Sequence, residues 1–196
     1  MNVVTLLGSP RPQGNSAALA RRFLQTAAGL GADTSSVYEL NRLHYRGCQA
    51  CYACKTGSER CVIKDDLAAV LAAVEAADAV VLATPVYYGD ITSQLKGFID
   101  RLFGFLVPDF HTNPRPSRLA PKKLAFILTQ GNPDPALFAD IFPRYGAFLG
   151  RMGFADRRLV RVCGVGPGCP AETVAEPLLR QADEAAHSLL GVPAGR

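Results

Sequence analysis

Val3-Val4-Thr5-Leu6-Leu7-Gly8-Ser9-Pro10-Arg11-Pro12-Gln13-Gly14-Asn15-Ser16 begins as an apolar run and ends as a loop of glycine and short polar residues. The run over 3–7 is short, continuous and stopped by Gly8, as a strand buried on both faces reads. From 16 to 28, Leu19, Ala20, Phe23, Leu24 and Ala27 fall at helical spacing, and Gly29 and Gly31 end the pattern. The stretch therefore predicts strand, loop and helix in succession. Gly8 and Gly14 permit a turn that a β-carbon resists. Ser9, Asn15 and Ser16 supply hydroxyl and amide groups, and Arg11 supplies fixed positive charge. The helix that follows presents free backbone N–H groups and the positive end of its dipole. Together they form an anion cradle sized for one phosphate. The loop has neither G-x-G-x-x-G nor a Walker lysine, which excludes the dinucleotide and P-loop NTPase readings.

The same alternation continues outward. A weaker strand is expected over 37–40. Asp65 or Asp66 caps a helix whose stripe is Leu67, Val70, Leu71 and Val74. Residues 79–83 read as a third buried strand. Thr92 or Ser93 caps a helix carrying Leu95, Phe98, Ile99 and Leu102, and 124–129 is a fourth strand. Leu137, Ile141, Phe148 and Met152 mark a further helix that Pro143 is expected to kink. Residues 159–165 read as a fifth strand. Val174, Leu178, Ala185 and Leu189 form the closing helix, with Pro177 suited to its first turn. Five strands alternating with five helices predict an α/β, doubly wound parallel sheet covered on both faces. In such a sheet, ligands bind beyond the carboxyl ends of the strands, where 8–16, 84–91 and 129–133 meet. Residues 108–122, rich in Pro, Arg and Lys, read as a mobile loop.

Length and composition agree. A chain of 196 residues forms one domain, 1–196, long enough to bury a core. Its 48% hydrophobic and 19% charged residues describe an ordinary globular protein, and no apolar run reaches membrane-spanning length. The apolar run at 3–7 is too short for a signal peptide, so a cytoplasmic location is expected. The net charge of +4 comes from scattered Lys and Arg, which gives no support for nucleic-acid binding.

With those residues in view, the chain resembles the flavodoxin-fold NAD(P)H-dependent FMN reductase family, where G-S-P-R-x-x-G-N-S holds the FMN phosphate. The resemblance implies a single-domain, flavodoxin-like, five-stranded parallel sheet in the order 2-1-3-4-5. It makes Ser9, Arg11, Gly14, Asn15 and Ser16 phosphate contacts. Thr84-Pro85-Val86-Tyr87-Tyr88-Gly89-Asp90 is similar to the family's second flavin loop, and Gln94 to Arg101 resembles the helix after it. Pro85, Val86, Tyr87, Tyr88 and Gly89 are then flavin neighbours. Thr129 and Gly131, in Thr129-Gln130-Gly131-Asn132, occupy the third loop. The implied activity is an FMN-dependent NAD(P)H oxidoreductase passing electrons to a small-molecule or protein acceptor, built as a homodimer or homotetramer. The alternative within the same fold is an FMN electron carrier without NAD(P)H turnover.

Four of the six cysteines, Cys48, Cys51, Cys54 and Cys61, are spaced C-x2-C-x2-C-x6-C in a cysteine-rich insertion at 44–64. Iron–sulfur ligation fits the spacing best, and a zinc site or redox-active thiols stay open. The motif looks like that of the family's iron–sulfur flavoprotein branch, which carries a [4Fe-4S] cluster beside FMN. That resemblance makes these four cysteines candidate cluster ligands and places the insertion at the carboxyl edge, on the flavin's side. Cys54 and Arg60 also match C-x5-R, the spacing of a cysteine-dependent phosphatase, but neither a preceding strand nor a following helix is expected there. Cys163 and Cys169 have no partner pattern and are read as core residues. His44, His111 and His187 show no ligand spacing.

Overall fold

The computed structural model describes residues 1–167 and 173–191. Five strands, β1 (Asn2–Leu7), β2 (Asp33–Glu39), β3 (Ala79–Pro85), β4 (Lys122–Thr129) and β5 (Phe154–Val162), form one sheet in the order β2-β1-β3-β4-β5. Every pairing is parallel. Six α-helices accompany it among the described residues: α1 (Asn15–Gly29), α2 (Ala53–Thr56), α3 (Leu67–Ala76), α4 (Ser93–Arg101), α5 (Ile141–Arg151) and α6 (Glu176–Leu190). The order 2-1-3-4-5 is the one expected.

The three central strands read as unbroken apolar runs because helices cover both faces. In β3, Val80 and Leu82 face a core built with Leu67, Val74, Leu95, Phe98 and Tyr145. Val81 and Ala83 face the opposite core, with Leu19, Phe23, Ala182 and Leu189. Thus α1 and α6 lie on one side and α3, α4 and α5 on the other. Arg22 holds the first pair together through Asp183 at 2.8 Å and Glu176 at 2.8 Å.

The expectations that fail do so at the periphery. β2 begins at Asp33, four residues before the expected start, and Leu40 opens a 3-10 turn (Leu40–Arg42). β5 begins at Phe154 and ends at Val162, not at 159–165, and Leu159 is exposed. Both are edge strands, so polar residues alternate through them and no continuous apolar run marks their ends. In α5 the buried face is Ile141, Tyr145 and Leu149, continued by Met152 just past its end. Leu137 precedes that helix and Phe148 is 65% exposed, so neither belongs to the stripe assigned to it. Pro143 is the third residue of α5, in the first turn where a missing N–H loses no helix bond, and it needs no kink. No helix among the described residues is long and apolar enough to cross a membrane.

Candidate active site

Between β1 and β3 the strand order reverses, and the loops leaving these strands diverge to opposite sides of the sheet. A cavity of about 740 Å3 opens there, lined by residues 9–16, 85–87, Thr129 and Gly131. All five expected phosphate-loop residues are in its wall, with Pro85, Val86 and Tyr87. Tyr88 and Gly89 are not. They sit at φ 49 and φ 86 in a tight turn closed by Tyr87 and Asp90, whose main chains exchange bonds of 2.8 and 3.1 Å. Both central residues of that turn are left-handed, which suits Gly89 and strains Tyr88. The Tyr88 ring stands fully in solvent.

Each loop is held by buried or main-chain bonds. Gly8 N–H donates to Ala83 at 2.8 Å, and the Thr92 hydroxyl donates to the Gly8 carbonyl at 2.7 Å. Thr92 also caps α4 by accepting from Leu95 N–H, as expected of it. One buried threonine therefore ties the end of β1 to the start of α4. A β-carbon on Gly8 would stand 2.9 Å from the Leu95 β-carbon, so glycine is needed here for close approach. Gly14, by contrast, has an ordinary extended backbone at φ -72. It has no side chain with which to cap α1, so the helix N-terminus opens on the cavity without a capping group from that residue. Ser9, itself buried, accepts from Arg11 N–H at 3.1 Å. Among the described residues lining the cavity, Arg11 alone carries a charge.

The second and third loops are joined by Val86 N–H donating to Thr129 at 2.7 Å. Gln130 is buried and donates from Nε2 to the carbonyls of Asn132 and Asp134 at 2.9 and 3.0 Å. Arg161 of β5 donates to Gln130 Oε1 at 2.7 Å, fixing its amide. The cavity has a further wall that was not anticipated, made by Val165, Gly166, Pro167 and Thr173. Val165 N–H reaches the Gln130 carbonyl at 3.1 Å, which couples this segment to the third loop. The signal for it was available, since the segment follows β5 at the same carboxyl edge.

Asp90 anchors the second loop. Its Oδ1 accepts from Ile91 N–H at 2.7 Å and its Oδ2 from Arg144 of α5 at 3.0 Å. Burial pushes the Asp90 carboxyl up, but Ile91 N–H, Arg144 and the Tyr145 hydroxyl together hold it below its ordinary value. The folded chain thus releases this proton more readily than the unfolded chain. The contribution is complete above the ordinary carboxylate pKa, about 3.9, and is lost as pH falls through the lower folded value. Thermal midpoints are expected to be level from pH 7 to about 5 and to drop below about 4. Asp90→Asn should flatten part of that drop, and an identical acid profile in the variant would refute the assignment.

The cysteine segment does not stay at the carboxyl edge. Tyr45 donates to the Gln94 carbonyl at 2.5 Å, Gly47 packs on Gly97, and Cys61 packs on Gly104, so the chain runs down the length of α4. Cys48, Cys51, Cys54 and Cys61 all line one small cavity floored by Arg101, Phe103 and Gly104. That floor lies at the far end of α4, about 13 Å along the helix from Thr92. The expectation of a site on the flavin's side is corrected accordingly: the segment finds its packing surface along α4. A β-carbon on Gly104 would stand 3.2 Å from Cys61 N, which keeps this floor open to Cys61. Cys54 is buried, with Lys55 Nζ 3.4 Å from its sulfur. The four thiols are the right donor type for an iron–sulfur cluster and share one cavity. No group of three or more His, Cys, Asp and Glu among the described residues is arranged to hold a metal ion.

The phosphatase geometry is absent. Cys54 lies inside the four-residue α2, and the Arg60 guanidinium is paired with Glu75 at 3.1 Å. Cys163 is only partly buried, and Cys169 lies outside the described residues. His44, His111 and His187 are exposed.

Residues 1–140 match the family model described as NADPH-dependent FMN reductase. The chain belongs to that family. Among curated relatives, an iron–sulfur flavoprotein of Archaeoglobus fulgidus is 37% identical over 106 residues, 54% of this chain and 47% of that protein. An iron–sulfur flavoprotein of Methanosarcina thermophila is 35% identical over 101 residues, 52% of each. The FMN reductase-family chain thus matches about half the length of these relatives. An FMN-dependent NADH:quinone oxidoreductase of Leptothrix cholodnii is 33% identical over 61% of this chain and 57% of that protein. In fold, the chain is similar to an NAD(P)H:quinone oxidoreductase of Methanothermobacter marburgensis, with a TM-score of 0.79 and 20% identity over 100% of this chain and 99% of that one. An FMN-dependent NADH-azoreductase of Bacillus anthracis, solved with FMN, gives 0.68 and 15% identity over 98% of this chain and 100% of that one.

Proposed function

We propose that this protein is an FMN-dependent NAD(P)H oxidoreductase that delivers electrons to a quinone-type or other acceptor. The observation that carries the reading is the cavity at the strand-order switch, where Arg11, on the loop that opens α1, is the one charged residue among the described residues of its lining. Ser9, Arg11, Asn15 and Ser16 would hold the FMN phosphate, using the helix N-terminus as well as side chains. The main chains at 85–87 and 129–131, locked to each other, would flank the flavin ring and limit water around it. FMN, when bound, supplies hydride acceptance from the nicotinamide and electron release to the acceptor. The test is steady-state oxidation of NADPH and NADH with a quinone as acceptor, using protein loaded with FMN. Turnover that depends on FMN supports the reading. Stoichiometric FMN binding without turnover would favour the electron-carrier alternative.

The cysteine cavity is proposed to hold a [4Fe-4S] cluster. Thiolates at different corners of a cluster stand farther apart than ligands of one ion, so the shared cavity and the relatives' names support this where single-ion geometry does not. Because α4 separates this cavity from the flavin cavity, a homo-oligomer is the arrangement that would bring one copy's cysteines near another's flavin. The exposed rings of Tyr52, Tyr88 and Phe148 are suited to burial between copies. In the same reading, the exposed part of 108–122 would close over a neighbouring site, its end being held by the Ser117 hydroxyl donating to the Met152 carbonyl at 2.8 Å and by Lys122 in β4. Protein purified without oxygen should show flavin bands with a broad iron–thiolate shoulder and run as a dimer or tetramer. A clean flavin spectrum without bound iron would remove the cluster, and a monomer would remove the assembly.

A further inference from the structure

Arg101, the last residue of α4, is the largest fully buried side chain among the described residues. Its NH1 donates to the Arg46 carbonyl at 2.9 Å and to Asp65 Oδ2 at 2.8 Å. Its NH2 donates to the Ile63 carbonyl and to Asp65 Oδ1, each at 3.3 Å. Arg46 stands two residues before Cys48, and Ile63 stands two residues after Cys61. One guanidinium therefore grips both ends of the cysteine segment. Such a fork, rigid and planar, can satisfy two strands of chain at once in a way an ammonium cannot.

One donor remains. Arg101 Nε is buried and has no hydrogen-bond partner. Arg101 also lines the cavity that all four cysteines share, beside Cys61. A buried charged N–H without an acceptor is costly, and the acceptor beside it is the Cys61 sulfur, which shares the cavity and favours the charged guanidinium by charge and by hydrogen bonding. Thiolate and inorganic sulfide are such acceptors, and hydrogen bonds to cluster sulfurs raise reduction potential. Cys61 is among the groups that favour the charged form of Arg101, after the opposing effect of burial and the hydrogen bond to Asp65.

We infer that Arg101 is the positioning residue of the cysteine cavity: its fork clamps 46 to 63 into a closed loop, and its Nε–H donates to sulfur held inside. The clamp stands on geometry alone. The donor role rests on the proposed cluster.

Two variants separate these roles from a merely structural ion pair. Arg101→Met combined with Asp65→Asn removes the fork without stranding a buried carboxylate. Arg101→Lys keeps the charge but loses Nε and the two-ended grip. Bound FMN, measured in each, reports that the fold survives. By hydrogen–deuterium exchange of the metal-free proteins, amides of 47–63 should exchange about tenfold faster in the double variant, and β1, β3 and β4 should be unchanged. Unchanged exchange in 47–63 would overturn the clamp. After anaerobic reconstitution with ferrous iron and sulfide, Arg101→Lys should hold a cluster whose midpoint potential, followed by EPR, lies below that of the parent. Equal potentials would overturn the donor role. If the parent itself binds no iron, the cluster reading and the donor role fall together, while the exchange result still decides the clamp.

Discussion

Asn15→Asp is expected to lower FMN affinity by about 100-fold or more, equivalent to at least about 2.7 kcal/mol, without lowering the stability of the flavin-free protein. The two side chains are nearly isosteric, and residue 15 opens α1 at the cavity wall. α1 has no acidic residue in its first turn, so a carboxylate there gains from the helix dipole by about 0.3–1 kcal/mol. Toward a phosphate it acts in the opposite sense. Two like charges 4 Å apart repel by about 4 kcal/mol at an effective dielectric of 20, and a phosphate monoester carries more than one charge. Arg11 offsets only part of that. Flavin fluorescence titration and thermal melting of the same preparations give the two numbers. An unchanged FMN affinity would move the phosphate away from this loop, and a melting point several degrees lower would make the loss one of folding.

Gly8→Ala is expected to destabilise the protein by about 2 kcal/mol, with a fall in thermal midpoint of about 4–8 °C, and to abolish tight FMN binding. The added methyl would meet the Leu95 β-carbon at 2.9 Å, Thr92 Oγ1 at 3.0 Å and the Ala83 carbonyl at 3.3 Å. None of these atoms is at the end of a flexible side chain, so β1, β3 and α4 must separate to admit it. The loops after β1 and β3 leave from that junction, and a shift there moves both walls of the cavity. Thr92→Val is the companion measurement. It keeps the shape of the junction but removes the donor to Gly8, leaving a buried carbonyl unpaired at a cost of about 1–3 kcal/mol. If Gly8→Ala bound FMN like the parent, the junction would not set the loops.

Much of this was legible in the residues because the relevant forces are local. The runs at 3–7, 79–83 and 124–129 are buried on both faces by any helix that covers them, whatever its identity. Thr92 caps α4 through a bond three residues away, and the loop between β1 and α1 is written in contiguous residues. Where a segment's burial depends on one distant neighbour, the pattern weakens. β5 carries Asp156, Arg157 and Arg158 because it is an edge, and Phe148 is apolar yet exposed.

By itself, then, the sequence determined the alternating α/β chain, its central strands, the Thr92 cap of α4 and the loop with Arg11 that opens α1. All of these follow from periodicity, glycine placement and helix ends within a few residues. Tertiary structure alone decided where the edge strands begin, that Val165, Gly166, Pro167 and Thr173 complete the cavity, and that the cysteines lie along α4. Those outcomes come from contacts between residues far apart in the chain, such as Cys61 on Gly104 and Arg101 on Arg46, Ile63 and Asp65. Such contacts leave no period in either partner.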